Sequence, residues 1–319
     1  MRSVISDRRR FLRAVAGGAA GLSVSRWAAA GLFTHERAGP PPAVNRLSDN
    51  LVVISGAGGN VVALSGPEGM LLVDCGAAEH SRELLQTLAA LPGGRHIRTL
   101  FNTHWHWDHT GANERLRGAG ANIIAHQNTR LWLGSEIREE WQHRIYEPRP
   151  PQALPTQTFY YKSCTMTFGG EPIEYGYLPQ AHTDGDIYVY FRGQNVLVAG
   201  DVVSVGSYPI LDYCTGGWIG GMADATEKLL TLSDAKTRII PGTGPVQMRA
   251  DVQAEHDMLV AVHAKLWKLM REAYSATDMI AAHATAQFDA KWGNPDLFIA
   301  NAYRGMYGHV AEYLGKGVV

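Results

Sequence analysis

Three cysteines in 319 residues, Cys75, Cys164 and Cys214, leave no basis for a disulfide framework, and none are paired at the spacing of a structural zinc motif. They read as free thiols, with a Cys164–Cys214 bridge as the alternative. Neither sign of charge is in excess: 29 Lys and Arg meet 30 Asp and Glu, so nothing argues for a nucleic-acid partner. No low-complexity tract or short-period repeat occurs. The apolar run at residues 14–24 is too short and too glycine-rich for a spanning helix. What is present is a chain with 45% hydrophobic residues, long enough to bury a substantial core in one or two domains.

The charge is distributed unevenly. Residues 1–30 hold six arginines against one aspartate, a net of +5, so a chain of −1 overall carries −6 in the remainder. Asp7-Arg8-Arg9-Arg10-Phe11-Leu12, the small and apolar run after it, and Ala28-Ala29-Ala30 form the basic, apolar and small-residue pattern of an export signal. The paired arginines before Phe-Leu resemble a twin-arginine signal, which implies export of the folded protein to the periplasm with metal already loaded. The expected organisation is a signal peptide at 1–30, a linker at 31–48 containing Gly39-Pro40-Pro41-Pro42, and one catalytic domain at 49–319 with a helical C-terminal tail.

Three short β-type runs at 51–55, 61–65 and 70–74 are separated by Gly-rich turns and predict an antiparallel meander. A helix is expected over 79–91, then an apolar strand at 97–101, a helix near 111–116, a strand near 122–125 and a polar helix from about 128 to 143. The second half repeats the theme, with strands at 165–168, 173–178, 187–191 and 195–199, a helix at 221–232 and a short strand at 238–240. From 252 onward the pattern is helical, with Leu259, Val262, Leu266, Leu269 and Met270 forming a core-facing stripe. Strands followed by helices in each half predict an α/β architecture, two sheets face to face with helices outside.

Thr103-His104-Trp105-His106-Trp107-Asp108-His109 places three imidazoles and a carboxylate at the end of the buried 97–101 strand. Alternation sends His104 and His106 to one side, where both reach one metal ion at about 2.0 Å, while Asp108 and His109 on the following turn reach toward a second. Ordinary core packing does not satisfy four such groups together.

His-x-His-x-Asp-His resembles the defining motif of the metallo-β-lactamase superfamily, and further motifs follow in that family's order over nearly the whole chain after the linker. The resemblance implies an αββα four-layer sandwich. It makes Asp74 in Leu-Leu-Val-Asp an anchor behind the metal ligands, and His182 in Ala-His-Thr-Asp-Gly-Asp the third histidine of a site with His104 and His106. It makes Asp201 in Val-Ala-Gly-Asp a carboxylate bridging two metals. One position departs: where the family has a Pro-Gly-His-Gly turn, this chain reads Pro241-Gly242-Thr243-Gly244, so the second site keeps Asp108, His109 and Asp201 but loses an imidazole. The expectation is one tight Zn2+ and a second that binds weakly, through a water held by Thr243, or not at all. His256 and His263 are the residues considered as substitutes and are read as surface or core histidines.

Asp201 implies a thioesterase-, lactonase- or hydrolase-like member, since true metallo-β-lactamases tend to carry Cys or Ser there. The stretches 206–212 and 216–218 and a helical tail through Phe298, Tyr303 and His309 are similar to a periplasmic hydrolase-like branch of undefined substrate. The implied reaction is attack of metal-bound hydroxide on an activated acyl bond of a small molecule, a β-lactam, lactone or thioester, with Asp108 orienting the nucleophile and accepting its proton. Residues 56–60 occupy the place of the family's mobile flap. Trp105, Trp107, Tyr208 and Trp218 are candidate pocket walls, with core packing the alternative. Two other classes stay open: a mononuclear iron oxidoreductase of the same fold, and a metal-binding member with little turnover. Neither nucleic acid nor membrane, after signal removal, is an expected partner, and the sequence does not fix an oligomeric state.

Overall fold

The computed structural model describes residues 42–161 and 163–315. The export signal expected at 1–30 lies outside these residues. Four antiparallel strands open the fold: β1 (Ala43–Arg46), β2 (Leu51–Ala57), β3 (Gly59–Gly66) and β4 (Gly69–Val73). Helix α1 (Ser81–Ala89) crosses over to β5 (Ile97–Phe101), parallel to β4. The one-turn α2 (Trp107–Thr110) and α3 (Asn113–Gly118) lead to β6 (Asn122–His126), parallel to β5. After α4 (Gln127–Leu133) comes a separate hairpin of β7 (Ile137–Glu139) and β8 (Arg144–Tyr146), and then β9 (Gln157–Phe159) completes the first sheet in the order β1-β2-β3-β4-β5-β6-β9.

The second sheet runs β10 (Cys164–Phe168), β11 (Glu171–Tyr177), β12 (Ile187–Phe191) and β13 (Val196–Gly200), all antiparallel. Helix α5 (Ile219–Leu232) returns the chain to β14 (Arg238–Pro241), parallel to β13, and β15 (Gln247–Met248) closes the edge. Four helices finish the described chain: α6 (Arg249–Arg271), α7 (Ala276–Ala281), α8 (Ala286–Trp292) and α9 (Asp296–Gly315). Among the described residues no helix is long and apolar enough to cross a membrane.

Alternation along the strands explains the layering. Leu51, Val53, Val62, Leu64 and Phe101 of the first sheet meet Ile173, Val189, Phe191, Val198 and Ile240 of the second in one buried layer. Ile54, Leu72 and Leu100 face the other way and pack on Leu84, Leu88 and Leu116 of α1 and α3. Leu197 and Ile239 of the second sheet pack on α5 and α6, with Leu259, Val262, Leu266 and Leu269 of the predicted stripe buried there. This is the αββα sandwich, with the C-terminal helices thickening one outer layer.

Two expectations are corrected, and one strand was not foreseen. Residues 43–46, assigned to the linker, form the edge strand β1 on β2; the register places Val44 opposite Ile54. The helix expected over 128–143 stops at Leu133, before Gly134, and 137–146 turns back as a hairpin whose His143 takes a left-handed φ of 52°. Trp105, Leu133 and Ile137 form a small apolar cluster of their own, which draws the chain out of the helix. Strand β9, only three residues long and preceded by Pro155, was below the length at which a pattern is readable.

Glu255 of α6 is buried, and both its carboxylate oxygens accept from the Ser204 N–H at 3.1 Å, tying the loop after β13 to the helix. Burial pushes its pKa from 4.5 to about 8, against the Ser204 hydrogen bond. Because the folded value is raised, the stability it contributes is complete below pH 4.5, declines as the pH rises and is gone above about 8. Glu255→Gln keeps an oxygen for Ser204 and cannot ionise. Its melting temperature is expected to exceed the wild type's at pH 9 by several degrees and to converge with it at pH 5; parallel curves would refute this.

Candidate metal centre

All the candidate ligands lie at one end of the two sheets: Asp74 after β4, the 104–109 cluster after β5, His182 in the loop between β11 and β12, Asp201 after β13 and Thr243 after β14. Asp74 is the keystone of the arrangement. It sits at φ 61°, a left-handed conformation that Asp tolerates better than most residues. Its Oδ1 accepts from the Thr103 N–H at 2.7 Å, and its Oδ2 accepts from the Thr103 hydroxyl at 2.7 Å and from His109 Nδ1 at 2.8 Å.

Each of the four imidazoles has one ring nitrogen assigned by its neighbour. With the Thr103 hydroxyl proton committed to Asp74, Thr103 Oγ1 accepts from His104 Nδ1 at 3.0 Å. His106 Nε2 donates to Asp212 Oδ2 at 3.1 Å, and His182 Nδ1 donates to the Ile210 carbonyl at 2.8 Å. The remaining nitrogens converge. His106 Nδ1 and His182 Nε2 are 3.0 Å apart, and Asp201 Oδ2 lies 3.6 Å from His104 Nε2 and 3.5 Å from His182 Nε2. One donor atom from each of His104, His106, His182 and Asp201 falls within 4.8 Å of all the others. His104 Nε2 and His109 Nε2 are buried without a hydrogen-bond partner.

Two lone-pair nitrogens at 3.0 Å repel unless a cation sits between them, and a tetrahedral ion with ligands at about 2.0–2.1 Å sets its donors roughly 3.4 Å apart. The donor set therefore fits a divalent metal. Burial, reinforced by His109, holds the His104 pKa well below its ordinary value, and burial with His106 lowers that of His182, so both rings are neutral and competent as ligands. His109 behaves oppositely: burial opposes its protonated form, but Asp201 and Asp74 raise its pKa well above normal. Asp201, half-buried and opposed by desolvation, is held well below the carboxylate range chiefly by His109, 3.4 Å away.

The second group is looser. Asp108 is partly exposed, with Oδ2 3.8 Å from His109 Nε2, and Asp201 Oδ1 faces the same nitrogen. Thr243 is exposed and borders a groove of about 340 Å³ together with His182, Asp201 and Tyr208. The turn that carries it is fixed by its neighbours. A Cβ at Gly242 would fall 1.8 Å from Asp201 Oδ1, and Asn60 reaches across to donate to the Pro241 and Gly244 carbonyls at 3.0 and 2.9 Å. Residues 56–60 are consequently a short hairpin turn clamped onto this loop, and a Cβ at Gly59 would meet the His109 ring at 2.4 Å. The expected flap is in contact with the metal-centre loops, with the Asn60 N–H donating to the Gly242 carbonyl at 2.7 Å.

Asp212 was missed by sequence reasoning, since a lone Asp in a long loop has no spacing signal. It is buried, orients His106 and accepts from the Thr215 hydroxyl and N–H. Behind it Glu139 is buried, its pKa pushed to about 9 by burial and then by Asp212. Asp212→Ala is expected to weaken metal binding by about 10–100-fold, measured by competition with a chromophoric chelator, whereas Asp212→Asn retains an acceptor for His106 and loses less.

Of the candidate pocket walls, Trp218 stacks on His309 at 4.1 Å and is a packing residue, whereas Trp105 is buried, donates to Thr215 Oγ1 at 3.0 Å and borders a cavity outside the Thr243 groove. Tyr208 borders the Thr243 groove, and Trp107 borders a separate cavity. His256 bonds to Ala223 and Thr226 of α5, and His263 packs on Trp218; neither belongs to the ligand group.

A family model described as the metallo-beta-lactamase superfamily matches residues 55–244. A probable metallo-hydrolase of Bacillus subtilis (strain 168), YqgX, is 27% identical over 157 residues, covering 49% of this chain and 71% of that protein. Among solved structures, a metallo-beta-lactamase from Pontibacter korlensis aligns with a TM-score of 0.54 at 19% identity over 69% of this chain and 99% of its own. The DIM-1 metallo-beta-lactamase gives 0.55 at 17% over 69% and 98%. At that identity these two bear on the fold alone.

Proposed function

Because the chain belongs to the metallo-beta-lactamase superfamily, we propose that this metallo-hydrolase uses zinc held by His104, His106, His182 and Asp201 to cleave an activated acyl bond in a small molecule, a β-lactam, lactone or thioester. The observation that carries this reading is the convergence of the His104, His106 and His182 ring nitrogens whose opposite N–H groups are already committed to Thr103, Asp212 and Ile210. Three imidazoles and a carboxylate suit zinc among the common divalent ions. When bound, such an ion supplies Lewis acidity, polarising a carbonyl and bringing the pKa of a coordinated water to about 7.

The chain's own residues do the rest. Asp108, partly exposed beside His109, orients the attacking water and accepts its proton. Asp212 and the Ile210 carbonyl keep His106 and His182 in the tautomers that leave a free nitrogen for the ion. The groove along Tyr208 and Thr243 receives the substrate. With Thr243 in place of an imidazole donor, the leaving group departs by protonation, which favours acyl bonds that are already strained or activated over plain amides. Export to the periplasm through the segment at 1–30 belongs to the same proposal.

The test is a panel of chromogenic β-lactam, lactone, thioester and ester substrates, assayed with the purified protein before and after chelation and after readdition of zinc. Hydrolysis of at least one activated class, lost on chelation and restored by zinc, supports the reading. Activity that survives chelation, or oxygen consumption with iron in place of hydrolysis, overturns it.

A further inference from the structure

The β7–β8 hairpin belongs to neither main sheet and leans over the face of the 104–110 segment. Beneath it lies a cavity of about 270 Å³ walled by Trp105, Trp107, Trp132 and Tyr146. Two cations border it, Arg144 and Arg149. The Arg144 guanidinium stands 4.5 Å from the Tyr146 ring centroid and 5.7 Å from that of Trp107. Among the arginines of the described residues, ion pairs are formed by Arg138, Arg192 and Arg304, and neither Arg144 nor Arg149 has a carboxylate within 4.0 Å. Glu147 is the one acid on the rim, so the cavity carries a single net positive charge.

The cavity abuts the metal centre. Trp105 meets the His106 ring edge-on at 4.5 Å, and Trp107 lies between His106 and Asp108 in the chain. Its volume falls just below the roughly 300–1,000 Å³ of pockets that hold a whole ligand, so it suits one arm of a larger molecule. Aromatic walls call for an apolar body, and a planar guanidinium with no carboxylate partner calls for one.

Resting on the hydrolase reading above, we propose that this cavity is a subsite for a monoanionic arm of the acyl substrate, an aromatic or branched apolar group bearing a carboxylate, with Arg144 and Arg149 as its anion anchors. Phenylacetate and its neutral isostere phenylacetamide probe it directly, titrated against the purified full-length protein by tryptophan fluorescence. Phenylacetate is expected to bind about tenfold more tightly than phenylacetamide. Arg144→Gln combined with Arg149→Gln is expected to erase that preference while leaving phenylacetamide binding unchanged, and Trp132→Ala weakens both probes. Equal affinities in the wild type, or a preference that survives the double substitution, overturn the proposal; the latter places the carboxylate elsewhere, as on the metal. Neither probe contains the scissile acyl bonds in question. The subsite therefore fails on binding alone and the hydrolase reading fails on turnover alone.

Discussion

Replacing His182 by alanine is expected to remove tightly bound metal and to lower acyl hydrolysis by on the order of a thousandfold or more. Its Nε2 faces His106 Nδ1 at 3.0 Å and Asp201 Oδ2 at 3.5 Å, so the change takes away one of three converging imidazoles. The fold should tolerate it. His182 is held by one hydrogen bond to Ile210, while the surrounding loop is fixed independently by Asp186, which accepts from the Thr183 N–H and hydroxyl at 2.7 and 2.9 Å. A melting temperature within a few degrees of the metal-free wild type, with metal and activity gone, is the predicted signature. Retained activity would remove His182 from the account.

Asp74 gives the second large effect, and two substitutions separate its roles. Asp74→Ala strands the Thr103 N–H, the Thr103 hydroxyl and His109 Nδ1 in a buried site and is expected to cost about 3–5 kcal/mol, a fall in melting temperature of roughly 10 °C. Asp74→Asn preserves the shape, but its amide nitrogen donates where the carboxylate accepted. His109 must then accept at Nδ1 and carry its proton on Nε2, the nitrogen that faces Asp108 and Asp201. The expected result is a smaller loss of stability and, in a Thr243→His background, loss of the second zinc that the added imidazole would otherwise bring to Asp108, His109 and Asp201. An Asp74→Asn, Thr243→His double variant that still binds about two zinc ions would show that Asp74 does not set the His109 tautomer.

The part of this site that was legible in the sequence is the part governed by alternation and by local order. Histidines at 104 and 106, two residues apart at the end of an apolar strand, must share a face, and they do. The meander at 51–74 followed from short β-type runs separated by glycine-rich turns, and the sandwich from strands followed by helices in each half together with the family resemblance. What was not legible depends on contacts between distant segments. Asp212 meets His106 across 106 positions, and Asn60 meets Pro241 across 181. The turn at 56–60 is glycine-rich for close approach to His109 and Ala77, a requirement that in sequence has the same appearance as flexibility. The 137–146 hairpin reads as a continuation of a polar helix because Ile137 and Tyr146 find their apolar partners, Trp105 and Leu133, only in three dimensions.

The most direct test of the central claim is elemental analysis of the mature protein purified without added metal, beside a Thr243→His variant. About one zinc per chain in the wild type and about two in the variant is the predicted result, since the substitution returns an imidazole to the groove that Thr243 shares with Asp201. Iron in the wild type would contradict the zinc hydrolase, and two zinc ions already present would contradict the role given to Thr243.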